Sequence, residues 1–360
     1  MPRFEMEQDV AKASTIPSAF YTDPQVYEQS KERIFARSWQ FVTHFDSVKV
    51  PGRLHPFTLL EGCLDEPLLF TRDMDDRVHC LSNVCTHRGN IVCEGAGNSQ
   101  SLRCRYHGRR FNLDGTFKSM PEFEDVQGFP SPDDDLAKID FANWRGFFFC
   151  NLAPPFPLDE YLKEVEDLCG FMPVEGFVHD PAGQRDYLVK GHWALYVDNY
   201  LEGFHIPYVH ADLNDVLDYG NYRTVLMKHG SLQLGVGSEG DECFDLPTGH
   251  PFEGESVAAF YFWFYPNLML NFYPWGLSVN VVRPLGPSLT KVAFTPFVWD
   301  ESKRASGAGA ALDRVEREDE AIVEQVQKGV RSRYYDRGRF SPKREDGVHQ
   351  FHRMIADSMG

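Results

Sequence analysis

The sequence has no long apolar run and too few basic residues to balance its acidic ones. Because it contains no stretch of eighteen or more apolar residues, no segment is expected to span a membrane. Its first residues, MPRFEMEQDVAKAS, lack the apolar centre of a secretory signal, so a cytoplasmic protein is expected. The net charge is −17, which argues against a nucleic-acid partner because phosphate binding needs a basic face.

Cysteine is too scarce for a scaffold built on disulfides. Eight cysteines are spread over 360 residues, and without a secretory signal they are expected to be thiols or metal ligands. A chain of this length suits about two domains. Hydrophobic residues make up 42% of it, which is enough for a substantial core in a globular protein.

The order of the predicted elements indicates two domains of an α+β fold. Residues 18–38 have the pattern of a helix, with Pro24 near its start. Residues 39–152 consist of short alternating runs separated by turn signals, which predicts a small antiparallel β domain. The segment APPFP, residues 153–157, is a predicted linker. The predicted division is into an N-terminal helical segment (1–38) that packs on the second domain, a β domain (39–155) and the second domain (156–360).

The second domain combines aromatic strands with a few helices. A helix is predicted from Trp193 to Val209, followed by strands within 257–284 and over 291–299. A strongly amphipathic helix is predicted from Ala311 to about Lys328, ending at Gly329.

Two short loops of the β domain contain a cysteine and a histidine each. Cys85 and His87 form a C-x-H pair, and Cys104 and His107 form a C-x-x-H pair after sixteen intervening residues. Structural zinc sites usually contain C-x2-C pairs, so a zinc knuckle is kept only as the alternative. In a Rieske [2Fe–2S] centre two cysteines bind one iron and two histidines bind the other, and this spacing is typical of it. Cys93, between the loops, is expected to be a small buried hydrophobe.

A second group of potential ligands lies in the second domain. Asp198, Glu202 and His205 would share one stripe of a helix at i, i+4 and i+7. His210 would lie on another face, but Pro207 is expected to bend or end the helix between the two histidines and so bring them together. Two histidines, one carboxylate and open positions for oxygen are what a facial triad for ferrous iron requires.

The carboxylate of such a triad is predicted on the C-terminal amphipathic helix. Asp319 would lie at the centre of an apolar stripe, where an unpaired carboxylate is costly and therefore needs a cation. The alternative is a buried salt bridge to an Arg or Lys. Glu318 and Glu320 would point elsewhere, as solvated charges. The predicted stripe consists of Leu312, Val315, Ile322 and Val326.

These motifs resemble those of the alpha (oxygenase) subunit of the Rieske non-haem iron oxygenases. CTHRG and CRYHGRRFNLDG are similar to their cluster loops, and N-Y-x-E-x-x-H-x4-H and E-D-x4-E-x-V-Q-x-G to motifs of their catalytic domain. The resemblance covers nearly the whole chain. It implies a Rieske domain and a helix-grip, lipid-transfer-like catalytic domain with a curved antiparallel sheet. Asn90 and Tyr106 stand where respiratory Rieske proteins have a disulfide, which implies the lower-potential oxygenase type. The implied ligands are Cys85, His87, Cys104 and His107 for [2Fe–2S], and His205, His210 and Asp319 for mononuclear Fe(II).

The resemblance also implies partners. Subunits of the family usually form a head-to-tail ring, so a homotrimer or a multiple of trimers is expected. A carboxylate bridges a cluster histidine of one subunit and an iron histidine of the next, and Glu202 matches its position, although many members have aspartate there. The alternative for Glu202 is an exposed helical acid; Asp198 is the second acid predicted to be catalytic. No plant-type C-x4-C-x2-C motif occurs, so electrons are expected from a separate flavin and iron–sulfur reductase that uses NAD(P)H.

The substrate is indicated only by aromatic strands and two softer motifs. Y-P-N-x-M-x-N-x-Y-P and GVHQFH resemble the choline monooxygenase and carnitine oxygenase branch, whose members hydroxylate a carbon next to nitrogen. His349 and His352 belong to GVHQFH and are not assigned to metal. For the function, the alternatives are hydroxylation of an aromatic ring and simple electron transfer. For the aromatic side chains, the alternative is a packed sheet core. Rings that could line a substrate pocket are those of Tyr261, Trp263, Tyr265, Phe272, Tyr273 and Trp275.

Overall fold

The structure is a computed structural model of the chain. It describes residues 4–210, 223–237, 240–304 and 312–360.

The chain folds into two compact units. The large unit contains Met1–Phe35 and Asp159–Gly360, and the small unit contains Ala36–Leu158. The N-terminal segment thus belongs to the large unit. The division predicted at 38/39 and 155/156 stays a prediction.

The N-terminal segment is not the single helix predicted over residues 18–38. It forms α1 (Ala19–Thr22), α2 (Pro24–Arg33) and a separate 3₁₀ turn (Phe35–Arg37). Asp23 interrupts the first two helices because its backbone is extended and its carboxylate accepts the N–H of Gln25 at 2.8 Å, capping α2. The proline that follows Asp23 lacks an N–H group and therefore begins a helix more readily than it continues one.

The small unit consists of short antiparallel strands, which confirms the predicted β domain. Its strands are β1 (Gln40–His44), β2 (Arg53–Leu59), β3 (Glu66–Arg72), β4 (Val78–Ser82), β5 (Gly97–Asn98), β6 (Leu102–Arg103), β7 (Arg110–Phe111), β8 (Phe117–Ser119), β9 (Asp140–Trp144) and β10 (Phe147–Asn151). They form three sheets, in the orders β4-β3-β2-β5, β1-β10-β9 and β6-β7-β8. The core beneath the cluster loops combines Leu69, Leu81 and Phe111 with Cys85 and Cys104.

The large unit contains one long antiparallel sheet and most of the helices. Its helices are α3 (Leu158–Tyr161), α4 (Lys163–Cys169), α5 (Trp193–Tyr200), α6 (Ile206–Val209), α7 (Leu312–Gly329) and α8 (Asp346–Met359), and its strands are β11 (Val178–His179), β12 (Arg185–Val189), β13 (Arg223–Leu226), β14 (Gly230–Val236), β15 (Val257–Phe264), β16 (Leu268–Tyr273), β17 (Gly276–Gly286) and β18 (Leu289–Val298). The sheet has the order β11-β18-β17-β16-β15-β14-β13, with β12 also paired to β18. This arrangement confirms the predicted α+β class. Among the residues described, no helix has both the length and the apolar character needed to cross a membrane.

The two faces of the long sheet differ in chemistry. One face buries aromatic and aliphatic side chains such as Phe260 and Phe262 of β15. On the other face, a row of pairs crosses four strands: Gln233 opposite Tyr261, Tyr261 opposite Asn271, and Asn271 opposite Ser278. Three members of this row are amide or hydroxyl side chains that are almost fully buried. Helix α5 lies against this sheet and also contacts α7.

Helix α7 buries a different face from the one predicted. Ile322 and Val326 are 38% and 43% exposed, so the predicted apolar stripe is wrong at both positions. Val315 is half-buried, and the side chain of Leu312 lies outside the described part of the chain. The face that turns inwards, towards α5 and β12, consists of Glu316, Asp319, Val323 and Gln327. Polar residues are buried there because partners meet them: Gln327 accepts the backbone N–H of His192 at 2.6 Å, for example.

One glycine string of the large unit resembles a dinucleotide fingerprint in spacing only. GVGSEG, residues 235–240, has the spacing G-x-G-x-x-G. Strand β14 before it is paired antiparallel on both sides, whereas the fingerprint follows a parallel strand and opens a helix. The string therefore gives no reason to expect NAD(P)H on this chain.

Candidate metal centres

The two loops of the small unit have the same backbone design. In the first, Cys85 N–H donates to the Asn90 carbonyl at 2.8 Å, and Gly89 N–H donates to the Cys85 carbonyl at 2.9 Å. In the second, Cys104 N–H donates to the Arg109 carbonyl at 2.8 Å, and Gly108 N–H to the Cys104 carbonyl at 3.1 Å. Both glycines have φ above +70°, which side chains with a Cβ rarely adopt. Each loop is therefore a tight turn that presents its cysteine and histidine on one side.

The four side chains of these turns form two chemically different pairs. Cys85 and Cys104 are each 2% exposed, and burial, with a contribution from Cys104, raises the pKa of the Cys85 thiol. The imidazole rings of His87 and His107 are half-buried, with centroids 4.7 Å apart. Two deep thiols and two outer imidazoles are the donor set of a Rieske cluster, in which each pair binds one iron. The residues present fit that group.

Asn90 and Cys93 lie next to these ligands without joining them. The Asn90 amide donates to Cys104 Sγ at 3.6 Å, which is the kind of hydrogen bond that tunes a cluster sulfur. Cys93 is buried and its thiol donates to the Gly95 carbonyl at 3.3 Å. Its environment is that of the small buried hydrophobe expected from the sequence.

The second candidate centre begins where α5 ends. The sequence predicted a helix continuing to Val209 with its break at Pro207, but α5 ends at Tyr200 and the chain turns before α6. Pro207 lies in the first turn of α6, where its missing N–H has no cost, so it does not cause the break. Asp198 and His205 consequently do not share the predicted helical stripe.

Three side chains of the large unit converge on one point. Asp319 Oδ1 lies 3.0 Å from His210 Nε2 and 3.4 Å from His205 Nε2. One potential ligand atom from each of the three residues lies within 4.8 Å of the others, and the two imidazole centroids are 5.2 Å apart. Two neutral imidazoles and one carboxylate in a compact group match the 2-His-1-carboxylate set of non-haem iron. The donor chemistry therefore fits mononuclear Fe(II), whereas the assignment of these residues as ligands stays a prediction.

A carboxylate orients each of the two histidines from behind. His205 Nδ1 lies 2.8 Å from Glu202 Oε1, and His210 Nδ1 lies 2.7 Å from Glu318 Oε2. Carboxylates in this position fix the tautomer, so that Nε2 presents its lone pair to a metal. The prediction that Glu318 is merely a solvated charge is therefore wrong, because His210, the residue at the C-terminal end of α6, lies against it.

Without a metal, protons hold this group together. Burial lowers the pKa of His205, but the hydrogen bonds with Asp319 and Glu202 outweigh it and raise that pKa to about 9. The pKa of His210 is raised in the same way, against burial, by Asp319 and Glu318. For Asp319, burial acts to raise the pKa, yet the two histidines lower it below its usual value. A metal ion that binds here must displace these protons.

The Glu202 carboxylate forms hydrogen bonds with residues two and three positions further along the chain. Besides His205 Nδ1, its carboxylate accepts the backbone N–H of His205 at 3.0 Å and that of Phe204. Its side chain is 13% exposed, so it is not the exposed helical acid of the alternative interpretation. Its role as a bridge between subunits stays a prediction.

Asp198 belongs to a network that the sequence analysis missed. The Tyr21 hydroxyl donates to Asp198 Oδ2 at 2.8 Å, and His352 Nε2 lies 2.9 Å from Asp198 Oδ1. Because Ile16 N–H donates to His352 Nδ1 at 3.0 Å, the ring proton of a neutral His352 is on Nε2 and is donated to Asp198. His349 instead contacts the Glu7 carbonyl through Nε2, at 2.7 Å. No local pattern could identify the network, since Tyr21 and Asp198 are 177 positions apart.

The predicted pocket rings separate into two groups. Tyr261, Tyr273 and Trp275 form one cluster, in which the Tyr273 and Trp275 rings stack at 5.0 Å with an interplanar angle of 8°. Trp263 and Tyr265 instead pack against Phe351 of α8, and the Tyr265 hydroxyl donates to Ser358 Oγ at 3.0 Å. The second pair therefore has the contacts of a structural core. Phe272, opposite Phe260 in the register, lies on the other face of the sheet.

Glu316 is a second buried carboxyl group that no sequence pattern singled out. It lies one helical turn before Asp319 and accepts the Tyr196 hydroxyl at 2.5 Å. It was missed because the predicted stripe assigned α7 an apolar inner face.

Two protein families match successive parts of the chain. Residues 179–360 match the ring hydroxylating alpha subunit (catalytic domain), and residues 38–130 match the Rieske [2Fe-2S] domain. The chloroplastic choline monooxygenase of Arabidopsis thaliana is 31% identical over 98% of this chain and 84% of its own. The carnitine monooxygenase oxygenase subunit of Escherichia coli (strain K12) is 29% identical over 96% of this chain and 94% of its own. The crystal structure of the quaternary ammonium Rieske monooxygenase CntA in complex with an inhibitor has the same fold, with a TM-score of 0.81 at 23% identity over the full length of both chains.

Proposed function

The chain belongs to the family of ring hydroxylating alpha subunits with a Rieske [2Fe-2S] domain, and from this premise we propose that it is the oxygenase component of a quaternary ammonium monooxygenase system. Its substrate is a choline-, betaine- or carnitine-like compound, hydroxylated at a carbon next to nitrogen with O2 and electrons from a reductase. The observation that carries the proposal is similarity along almost the whole chain to enzymes named for choline and carnitine oxidation.

The candidate ligands are divided between two iron centres. When bound, the [2Fe–2S] cluster supplies electron storage and the mononuclear iron supplies oxygen activation. The proposed holders are Cys85, His87, Cys104 and His107 for the cluster, and His205, His210 and Asp319 for the mononuclear iron.

At the iron site, two carboxylates of the protein orient the imidazole rings of the two histidines. Glu202 and Glu318 hold the Nδ1 protons of His205 and His210, at 2.8 and 2.7 Å. Both Nε2 lone pairs therefore point at the same region as Asp319. A fixed set of three protein ligands leaves other coordination positions open for oxygen, as non-haem iron oxygenases require.

Electron delivery is proposed to pass through Glu202 between subunits. One Rieske cluster stores one electron, whereas hydroxylation with O2 consumes two, so the iron site must be reduced during turnover. Glu202 already contacts His205, and in the head-to-tail ring of the family it would also meet a cluster histidine of the neighbouring subunit. The assembly is then a homotrimer or a multiple of trimers, and the donor is a flavin and iron–sulfur reductase that uses NAD(P)H. A cytoplasmic location is part of the same proposal.

The rings of Tyr261, Tyr273 and Trp275 are proposed to receive the ammonium group. Their cluster is on the sheet face that also carries Asn271 and the other buried polar side chains. Each well-placed ring stabilises a bound cation by about 0.5–2 kcal/mol, because the negative face of the ring attracts the positive charge. In the stacked pair, whose centroids are 5.0 Å apart, each ring has one face turned away from the other.

Metal analysis distinguishes this enzyme from a pure electron carrier and from a zinc protein. Anaerobically purified oxygenase is expected to hold about three irons per chain, in two sites. Its reduced form should give the EPR signal of a Rieske cluster. Two irons per chain would indicate a carrier without a mononuclear site, and a colourless zinc-containing preparation would exclude both iron centres.

Coupled oxygen consumption identifies the substrate class. The holoenzyme with a matched reductase is supplied in turn with choline, glycine betaine, L-carnitine and simple aromatic acids. Product formation equal to oxygen uptake with an ammonium compound is the expected result. Coupled product from aromatic acids alone would replace the proposal with ring hydroxylation.

A further inference from the structure

Glu316 is a buried carboxyl group for which the proposed function has not yet given a use. Only 8% of the residue is exposed, and Tyr196 of α5 donates to its Oε2 at 2.5 Å. Within the described stretches of the chain this is its one hydrogen bond, and no Lys, Arg or His forms an ion pair with it. A carboxyl group in such surroundings is costly to ionise unless a cation faces it.

The groups around Glu316 leave this position short of positive charge. Burial raises the pKa of Glu316 to about 8; the Tyr196 hydrogen bond lowers it, while the neighbouring Asp319 and Glu320 raise it further. The charge of His210 acts in the opposite direction and lowers the pKa of Glu316. Since His210 must be neutral to bind iron, it does not serve as the permanent partner of Glu316.

Two tyrosines of α5 connect Glu316 with the polar face of the sheet. Tyr196 and Tyr200 are four residues apart and therefore lie on one side of the helix. Tyr196 reaches Glu316, whereas Tyr200 donates to Asn271 Oδ1 at 2.6 Å. Asn271 lies opposite Tyr261, a member of the aromatic cluster. The two tyrosines thus connect the carboxyl group on α7 with Asn271, the sheet residue opposite Tyr261 of the aromatic cluster.

We propose that Glu316 is the counter-charge for the substrate ammonium group and makes the site select net cations over zwitterions. The inference rests on the proposed function and narrows its substrate class to quaternary ammonium alcohols such as choline. Glycine betaine and carnitine carry a carboxylate of their own, which Glu316 would repel. Aromatic rings attract the ammonium group of all these compounds, so they do not supply this distinction.

The test compares ligands that differ in charge but not in shape. Choline, its neutral isostere 3,3-dimethylbutan-1-ol and glycine betaine are titrated by calorimetry into anaerobic holoenzyme. Wild-type protein should bind choline about 10- to 100-fold more tightly than the isostere. Glu316→Gln should remove most of that ratio by weakening choline, while the affinity for the isostere stays the same or rises. In the same variant, the ratio of the affinity for choline to the affinity for glycine betaine should also fall.

Matched variants separate charge from shape. Glu324→Gln removes one negative charge from the same helix, at a residue whose carboxylate accepts the Lys190 N–H, and should leave the ligand ratios unchanged. Glu316→Asp keeps the charge on a shorter side chain and should retain part of the preference. Glu316→Gln can still accept the Tyr196 hydroxyl, and a thermal unfolding curve is the check that it folds. If it does not fold, Glu316→Asp and Tyr196→Phe provide the comparison instead.

The remaining outcomes overturn the inference in distinguishable ways. If Glu316→Gln lost iron while keeping the choline-to-isostere ratio, Glu316 would be a counter-charge for the metal. If iron content and ratio both stayed at wild-type values, the carboxyl group would have a structural role only. If wild-type holoenzyme bound none of the ammonium compounds, the proposed function itself would fail, and the selectivity with it.

Discussion

The cluster loops and the iron site of this chain differ in how far apart their residues lie in the sequence. All four candidate cluster ligands come from residues 85–107, on two turns closed by their own backbone hydrogen bonds. The candidate iron site joins His210 to Asp319 across 109 positions, and each of its histidines has a carboxylate behind it. Local chain geometry therefore prepares the first site, whereas the packing of α7 against α5 assembles the second.

The largest expected effect separates the two centres completely. Asp319→Ala should remove the mononuclear iron and abolish oxygenation, because the two histidines lose the anionic ligand. The visible absorption of the Rieske cluster should persist, since its ligands lie in the other unit. Iron analysis, visible spectra and coupled turnover check this, with Glu324→Ala as the control on the same helix.

The converse variant is Cys104→Ser, which should remove the cluster absorption and leave the mononuclear iron bound. Loss of both centres in either variant would contradict their independence.

The next effect tests the proposed passage of electrons between the centres. Glu202→Gln keeps an oxygen that can accept from His205 but removes the charge, so both metal sites should stay filled. Turnover should nevertheless fall by about 100-fold, the upper range for residues behind a metal ligand. Stopped-flow oxidation of the reduced cluster in single turnover measures the step directly, and Glu202→Asp should restore most of it. Full turnover with full coupling in Glu202→Gln would end the bridging hypothesis.

A smaller effect is expected for the carboxylate behind the second histidine. Glu318→Gln should weaken iron binding about tenfold, because His210 loses the charged partner at Nδ1. Competition with a chelator measures the affinity, and Glu324→Gln is the matched control. Unchanged iron affinity would mean that the backbone at the end of α6 positions His210 without the charge of Glu318.

The stability of the metal-free protein and its affinity for Fe(II) should both depend on pH, because the pKa values of His205 and His210 are raised. In metal-free protein the pKa of His205 is about 9, above its usual value of about 6.5. The stabilisation from its charged form is complete below about pH 6.5 and is lost as the pH rises through 9. Metal-free protein should therefore become less stable between those values, while its affinity for Fe(II) rises by about tenfold per pH unit for each proton displaced. Unfolding curves and anaerobic titrations at several pH values measure the two trends, which should run in opposite directions.

The smallest effect concerns the face of α7 that carries Asp319. Val323 is 1% exposed and Ile322 38% exposed, although the sequence pattern assigned the inner face to Ile322. Val323→Ala should lower the free energy of unfolding by about 1–3 kcal/mol, whereas Ile322→Ala should change it by less than about 0.5 kcal/mol. Urea denaturation of the two variants checks this, and equal losses would contradict the observed orientation of the helix.

The sequence predicted the features that depend on neighbouring residues better than those that depend on residues far apart in the chain. Cys85, His87, Cys104 and His107 were identifiable because their spacing and the turns that present them are local. The fold class was predictable from alternating runs, because side-chain alternation and turn residues are properties of short segments.

Contacts over long separations were not predictable. Glu318 meets His210 over 108 positions and Glu316 meets Tyr196 over 120. The apolar pattern of α7 misidentified the buried face because tertiary hydrogen bonds, rather than hydrophobicity, decide which side of that helix turns inwards. The break after Tyr200 was displaced for a related reason: the Glu202 carboxylate binds the backbone N–H groups of Phe204 and His205 in place of helical hydrogen bonds.

The turns closed by Gly89 and Gly108 have a consequence for how the protein matures. Their hydrogen bonds are made by the main chain alone and need no inorganic partner. The positions of Cys85 and Cys104 are therefore set by main-chain bonds of their own turns and not by the ligands of the other metal centre. Replacing either glycine would strain its turn through the positive φ, so we expect slower incorporation of iron and sulfide before any change in the cluster itself.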